Sequence, residues 1–184
     1  MLNLDFHPFP QLKTERLLLR QVMPTDAKSV MRIRGNEDAM RYIPRPRAKT
    51  MDDALAVVKM LTDGINEGKS INWAITNIND PSEIFGIMGF VNFYPEQNKA
   101  EIGYMLHPDY WGKGYVPEAI LEVEKFGFEQ INLRTIEAKI DPRNENSRKI
   151  LLRNNYQFDR LLRKEMTFQE EDLDSEYYIK NRNF

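Results

Sequence analysis

The sequence predicts an α/β fold: a mixed, mostly antiparallel sheet of about seven strands with helices on both faces. Three short strands joined by tight turns follow one another in mid-chain, and βα units lie on either side of them. Such an antiparallel run flanked by βα units implies a mixed sheet covered by helices. The 184 residues contain no repeat and no Gly/Ser-rich or Pro-rich linker, so one domain is assigned to residues 1–184.

The first part of the chain is predicted to form one strand followed by two helices. A strand is expected at residues 16–20, and Pro24 opens a helix shortly after it. Thr50 with Asp53 three residues later is typical of a capping box, so a second helix begins there. The two prolines of residues 42–47 predict a loop between the helices, because proline breaks a helix interior.

Six strands and two helices are expected in the rest of the chain, from residue 71 onwards. Apolar residues at helical spacing predict helices over residues 116–130 and 147–154. The strands are expected at residues 71–76, 84–93, 100–106, 135–140, 158–168 and 175–180. The acidic run 170–176 is expected to form the solvated turn of the last hairpin.

Composition excludes several kinds of chemistry. The chain has no cysteine and two histidines, which removes disulfides, thiol nucleophiles, iron–sulfur clusters and thiolate zinc sites. We expect no metal. The 26 Lys+Arg against 28 Asp+Glu give a net charge of −2, so nucleic acid is not the expected partner. No long apolar stretch or leader pattern is visible; we expect no membrane partner and a cytoplasmic location.

The strongest chemical signal is a glycine-rich turn between an expected strand and a helix. Gly112 and Gly114 let the backbone approach a ligand closely, and the first amides of the next helix point at the same place. Such a turn can bind phosphate, although an ordinary tight turn is the alternative. Gly114 after Lys113 excludes a Walker loop, and the lack of a third glycine near Val116 excludes a Rossmann fingerprint.

The segment Trp111-Gly-Lys-Gly-Tyr-Val-Pro-Glu-Ala119 resembles the acetyl-CoA pyrophosphate loop of the GNAT superfamily of N-acetyltransferases. More narrowly, it resembles the RimJ/RimL-type branch, which modifies ribosomal proteins. Two further segments resemble that branch, the opening Thr14-Glu-Arg-Leu-Leu-Leu-Arg20 and the run Asn144-Glu-Asn-Ser-Arg-Lys-Ile-Leu151. The three segments occur in the expected order and cover residues 12–168.

Three positions depart from the family pattern. Val116 stands where a glycine or alanine is expected, which would narrow the approach of a pyrophosphate. Asn155 replaces a terminal glycine, and asparagine tolerates the left-handed conformation well. Leu151 stands where a tyrosine elsewhere in the superfamily protonates the leaving thiolate, so that acid is missing.

The resemblance implies acetyl-CoA as the cosubstrate and assigns residues to it. Met105 and Leu106 would pair with the pantetheine arm through their backbones, Asn144 would meet its thioester end, and Ser147 would lie near the sulfur. The implied pyrophosphate loop comprises Trp111, Gly112, Lys113, Gly114, Tyr115 and Val116. A solvated side chain is the alternative for Lys113. A helix N-cap is the alternative for Asn144, and it is compatible with binding.

The implied reaction is direct attack of a primary amine on the acetyl thioester in a ternary complex, since the chain has no thiol to carry the acetyl group. An α-amine with a pKa of about 7.7–8.0 needs little help from a base, in contrast to lysine at about 10.4. Glu101 is the candidate base and Ser147 the candidate acid. A surface carboxylate and a plain helix serine are the alternatives.

The sequence says least about the amine that would accept the acetyl group. A protein N-terminal α-amine or a small-molecule amine is expected; an antibiotic or polyamine acetyltransferase and a non-catalytic acyl-CoA sensor are the alternatives. The loop cations Arg41, Arg45, Arg47 and Lys49 would attract an acidic acceptor or simply be solvated. His107, before a turn proline, is expected to be structural. A homodimer is compatible with the sequence, which does not demand one.

Overall fold

The computed structural model describes residues 2–182. Eight strands of this part form one sheet in the order β1-β2-β3-β4-β5-β6-β8-β7. They are β1 (Leu12–Lys13), β2 (Leu17–Gln21), β3 (Ile71–Asn77), β4 (Asp80–Tyr94), β5 (Lys99–Leu106), β6 (Thr135–Ile140), β7 (Gln157–Phe168) and β8 (Glu171–Asn181). Only β5 and β6 pair in parallel. The predicted mixed, mostly antiparallel sheet is confirmed, and the two-residue β1 accounts for the additional strand.

Five α-helices cover the sheet. They are α1 (Ala27–Gly35), α2 (Glu37–Met40), α3 (Met51–Asn66), α4 (Tyr115–Phe126) and α5 (Glu145–Arg153). The capping box is present as predicted, because the Thr50 hydroxyl accepts from the Asp53 amide and the Asp53 carboxylate accepts from the Thr50 amide. The helix predicted over residues 116–130 is α-helical only as far as Phe126, and its last turn, Gly127–Ile131, is π-helical.

Each face of the sheet has its own core. Trp73, Phe90 and Leu151 belong to the core under α4 and α5, and Ile33 and Met105 belong to the core under α1 and α3. Successive side chains of a strand point to opposite faces. Along β5, the even-numbered residues 102–106 therefore face α4 and α5, and the odd-numbered residues 101–105 face α1 and α3.

The last hairpin turns earlier than predicted. Gln169 and Glu170 have φ values of 51° and 66°, so these two residues make the turn, and β8 begins at Glu171. The acidic run 170–176 is therefore mostly strand, with Asp172 paired to Thr167 and Leu173 to Met166. Charge density was a poor guide here because the acidic side chains of an edge hairpin can point to solvent without interrupting its backbone pairing.

Candidate active site

A gap opens between the two parallel strands at the centre of the sheet. β5 and β6 pair from Lys99 and Thr135 to Ile102 and Ala138, where the pairing ends. β5 nevertheless stays paired with β4 as far as Leu106. The last four residues of β5 therefore have one free edge, as the family resemblance implies for the pantetheine arm.

The end of β5 presents Leu106 to this gap. The His107 amide donates to the Phe85 carbonyl at 2.9 Å, and antiparallel residues alternate between bonded and non-bonded pairs. Leu106 therefore turns its backbone away from β4, and its carbonyl accepts from the Trp111 indole Nε1 at 2.9 Å. By the same alternation, Met105 directs its backbone to Ile87 of β4. The geometry favours Leu106 over Met105 as a backbone partner.

Both glycines of the glycine-rich turn adopt the left-handed backbone conformation. Gly112 and Gly114 have φ values of 72° and 76°, in the left-handed region that glycine enters without strain. Gly114 is the N-cap of α4 and offers no capping side chain. The amides of Tyr115 and Val116 thus have no partner within their own helix, and both residues line the cavity described below.

A brace of hydrogen bonds and an ion pair, with Arg16 exposed and Glu118 partly buried, holds this turn against the N-terminal segment. Arg16 donates through Nη1 to the Lys113 carbonyl at 3.0 Å and pairs with Glu118 of α4 at 2.6 Å. The Thr14 hydroxyl and the Arg16 amide also donate to the Glu118 carboxylate. Burial acts to raise the pKa of Glu118, but these hydrogen bonds outweigh it and hold the pKa below its usual value. The opening segment thus fixes the turn.

Lys113 and Val116, at the same turn, differ in solvent exposure. Lys113 is exposed, with Nζ 5.1 Å from the centre of the Tyr110 ring, which agrees with a solvated lysine. Val116 is 8% exposed and belongs to the core under α4. Its branched side chain is therefore used in packing.

A pair of hydroxyl groups faces the gap from the α5 side. Asn144 caps α5, and its Oδ1 accepts from the Ser147 amide at 3.1 Å. Ser147 is 5% exposed, and its hydroxyl lies 2.5 Å from the hydroxyl of Tyr104 on β5. Burial raises the pKa of Tyr104 to about 12, against a smaller lowering by the bond to Ser147. The tyrosine is therefore protonated at neutral pH.

Tyr104 is the residue that the sequence did not single out. Leu151, at the position of the family tyrosine, is fully buried in the core, so α5 supplies no acid there. Asn155 has a φ of 64°, as predicted for a residue that replaces glycine. The only signal for Tyr104 was its place between Ile102 and Leu106, on the face of the strand that meets the helices.

Glu101 faces the opposite side of the sheet from Tyr104. Its Oε2 accepts from Asn92 Nδ2 at 2.9 Å and from the Tyr94 hydroxyl at 3.3 Å. Burial and then the charge of Glu101 raise the pKa of Tyr94. Two donors thus orient the carboxylate, which lines the same cavity as Ser147.

A cavity of about 1610 Å³ connects both faces through the gap. Among the loop cations, Arg41 and Arg45 line it, whereas Arg47 pairs with Glu37 at 3.2 Å. Lys49 is exposed and is absent from the lining. His107 is 8% exposed, and its Nδ1 accepts from the Asp109 amide at 3.3 Å. That bond agrees with a structural role in the turn.

Residues 16–157 match the family model described as an acetyltransferase (GNAT) domain. The chain belongs to the GNAT family of acetyltransferases. It is 30% identical over 170 residues to the uncharacterized N-acetyltransferase YoaA of Bacillus subtilis, with 92% of this chain and 96% of the relative covered. The relative p20 of Bacillus licheniformis is 33% identical over 83% of this chain and 85% of its own length.

Solved structures share the fold of this acetyltransferase. A GNAT-family acetyltransferase from Bacillus anthracis has a TM-score of 0.82 and 26% identity, covering 94% of this chain and 98% of its own. RimL, a ribosomal-protein α-N-acetyltransferase solved with coenzyme A, has a TM-score of 0.84 at 15% identity, covering 94% and 98%. At that identity the likeness concerns the fold. Within residues 2–182, no helix is both long and apolar enough to span a membrane.

Proposed function

We propose that this GNAT acetyltransferase transfers an acetyl group from acetyl-CoA to a primary amine in a ternary complex, in the manner of the RimJ/RimL-type branch. The observation that carries the proposal is the gap after Ile102 and Ala138, which opens beside the turn of Gly112 and Gly114. An extended arm in the gap and a pyrophosphate at the turn would place a thioester beside Ser147. Bound acetyl-CoA would supply the activated acetyl group.

The residues present suit such a cosubstrate. The Leu106 amide is directed into the gap, where the Leu106 carbonyl already accepts from Trp111, and the amides of Tyr115 and Val116 have no helical partner at the start of α4. Trp111, Gly112 and Gly114 shape the turn, while the exposed Lys113 would at most add charge near a phosphate. Asn144 keeps its amide nitrogen without a hydrogen bond to any residue of 2–182 because capping uses only Oδ1. That nitrogen would donate to the pantetheine.

The base and the acid lie on opposite faces of β5. Glu101, on the α1 and α3 face, would accept the amine proton directly or through water. Ser147, on the α5 face, would give its proton to the departing sulfur. Tyr104 would donate to the Ser147 oxygen, so that the serine hydrogen points to the sulfur. The nitrogen thus gains the acetyl group and loses a proton to Glu101, the sulfur gains the Ser147 proton, and the proton held by Glu101 returns to Ser147 through water before the next turnover.

Transfer is tested with purified protein, labelled acetyl-CoA and a panel of peptides and small amines. We expect thiol release that depends on the acceptor, together with a mass increase of one acetyl group on that acceptor. Tight binding of coenzyme A with no acetylated acceptor in the panel would instead support the sensor alternative. The well-placed pair of Ser147 and Tyr104 favours catalysis over sensing.

Three further inferences accompany this function. Because all eight described strands join one sheet, we infer that residues 1–184 form one domain. The absence of cysteine suits a reducing cytoplasm.

The long edge strand β7 (Gln157–Phe168) offers unpaired backbone groups to a second copy, so a homodimer remains a prediction. Size-exclusion chromatography with light scattering tests it.

A further inference from the structure

Most cationic side chains that line the cavity on the α1 and α3 side are neutralised by a neighbouring carboxylate. These pairs are Arg41 with Asp38, Lys59 with Asp63 and Lys69 with Glu67. Their side chains are exposed to solvent as well, so each such cation has both a counter-ion and water. They leave little net positive charge for a ligand.

Arg34 and Arg45 are different. Neither has a carboxylate within 4.0 Å in residues 2–182, although both line the cavity. The Nε of Arg34 is buried and has no hydrogen-bond partner there. The Arg45 side chain makes one hydrogen-bond contact in the described residues, from Nη1 to the Met60 sulfur at 4.0 Å. Buried polar groups are normally satisfied, so an unpaired guanidinium nitrogen calls for a partner.

The two guanidinium groups also act on each other. Burial, and then the charge of Arg45, lowers the pKa of Arg34. Two like charges beside a recess raise the free energy of the empty site, and an anion between them would relieve this repulsion. Guanidinium groups bind carboxylate and phosphate with paired hydrogen bonds, which makes either group a suitable guest.

Both arginines lie on the acceptor side of the cavity. Arg34 is in the last turn of α1, and the Ala48 amide donates to its carbonyl at 3.1 Å, which holds the loop carrying Arg45 against the helix. α1 and α3 cover the face of β5 to which Glu101 points. Arg153, at the end of α5, also lacks a carboxylate partner in the described residues, but α5 covers the opposite face.

We propose that Arg34 and Arg45 form an anion-recognition site in the acceptor half of the cavity, and that the acceptor is a primary amine carrying a carboxylate or a phosphate group. The amine part of this inference rests on the proposed function, whereas the anion part does not. A polyamine or aminoglycoside would bring further cations towards Arg34 and Arg45, so the proposal disfavours those acceptors.

Matched acceptors test the proposal. The probes are β-alanine, 4-aminobutyrate and 6-aminohexanoate, each against its primary amide, and phosphoethanolamine against ethanolamine. Rates are compared per neutral amine, because the amide lowers the amine pKa. We expect at least one acid to exceed its uncharged counterpart in kcat/KM by roughly ten- to hundredfold, the worth of hydrogen bonds to a charged group. Comparing the carboxylate-containing amines with phosphoethanolamine shows which anionic group the enzyme prefers.

Variants assign the preference to the two arginines. Arg34→Gln and the exposed Arg45→Gln should each raise KM for the acid and leave the amide unchanged. Arg41→Gln is the matched control, since Arg41 lines the same cavity but already pairs with Asp38. Equal rates for acid and amide in the wild type, or equal losses in Arg41→Gln, would overturn the proposal.

An amine-free measurement separates this proposal from the proposed function. Isothermal titration of glutarate and inorganic phosphate into the wild-type protein should show binding that Arg45→Gln and Arg34→Gln weaken. Anion binding of this kind without acetylation of any amine would refute the transfer reaction and retain the site. Acetylation of neutral amines with no arginine-dependent anion binding would retain the reaction and refute the site.

Discussion

The hydroxyl groups of Tyr104 and Ser147 lie 2.5 Å apart, although one residue is on a central strand and the other is on a helix. Ser147 can then donate to an approaching sulfur only if Tyr104 donates to Ser147. A serine hydroxyl is a very weak acid by itself, and a hydrogen bond into its oxygen makes it a better proton donor. Tyr104 is therefore a positioning residue for Ser147.

Tyr104→Phe should lower kcat by about tenfold and leave KM for acetyl-CoA nearly unchanged, because it removes one hydrogen bond used at proton transfer. Ser147→Ala should have at least as large an effect. The double variant should be no slower than Ser147→Ala, since the tyrosine acts through the serine. Additive losses in this double-mutant cycle would contradict a shared role.

The pH profile offers an independent check on Tyr104. Its pKa of about 12 keeps the hydroxyl protonated well above neutrality. Below about pH 10, ionisation of Tyr104 should therefore not affect kcat. Any alkaline decline of kcat in that range should be the same in the wild type and in Tyr104→Phe. A decline near pH 8 to 9 that disappears in that variant would mean that the tyrosine ionises in the working range, contrary to its buried position.

Glu101→Gln should reduce kcat/KM by an amount that depends on the acceptor. Loss of a positioned base costs about 10²–10⁴-fold. An amine with a pKa near 10.4 relies on the base more than one with a pKa near 7.7–8.0, which is already partly neutral at neutral pH. Steady-state kinetics with a lysine-type amine and a peptide α-amine measures the difference. Equal losses for both would argue that Glu101 only orients the substrate.

Local patterns made part of this structure predictable. The capping box of Thr50 and Asp53 and the left-handed conformation of Asn155 each depend on a few neighbouring residues. The mixed sheet was also predictable, because strand order followed from short turns on one side and βα units on the other. These features depend on interactions between residues that are close together in the sequence, so they can be predicted from the sequence alone.

Long-range contacts were not predictable in the same way. Tyr104 and Ser147 are 43 residues apart, and Arg16 and Glu118 are 102 apart. Their meeting depends on strand register and on the gap after Ile102, which no local pattern specifies. The turn at residues 169–170 was missed because its residues are neither glycine nor asparagine. Left-handed turns are most readily recognised by those two residue types.

Asn144→Asp separates helix capping from cosubstrate binding. Aspartate caps a helix as well as asparagine does, so the melting temperature should be unchanged. The variant loses the donor Nδ2 and gains a negative charge, so KM for acetyl-CoA should rise by about tenfold or more. Asn144→Ala is the control that also loses the cap. Normal acetyl-CoA kinetics in Asn144→Asp would limit Asn144 to its structural role.

The brace between the N-terminal segment and the glycine-rich turn has a pH signature. Hydrogen bonds from Thr14 and Arg16 keep the pKa of Glu118 below its usual value of 4.5 despite burial. A carboxylate with a lowered folded-state pKa stabilises the folded protein above the unfolded pKa, and that contribution disappears as pH falls through the folded value. Neutral pH is therefore where the brace contributes fully.

Glu118→Gln should lower the free energy of unfolding by about 1–2 kcal/mol near neutral pH, because it weakens hydrogen bonds to a charged acceptor. The difference from the wild type should shrink as pH falls below the usual glutamate value of 4.5 and through the lowered folded-state pKa of Glu118. Urea unfolding across this range measures it. Glu122→Gln is the control on the same helix, since Glu122 reaches Lys125 only at 4.0 Å. A pH-independent loss, or one equal in both variants, would show that the carboxylate charge does not hold the turn.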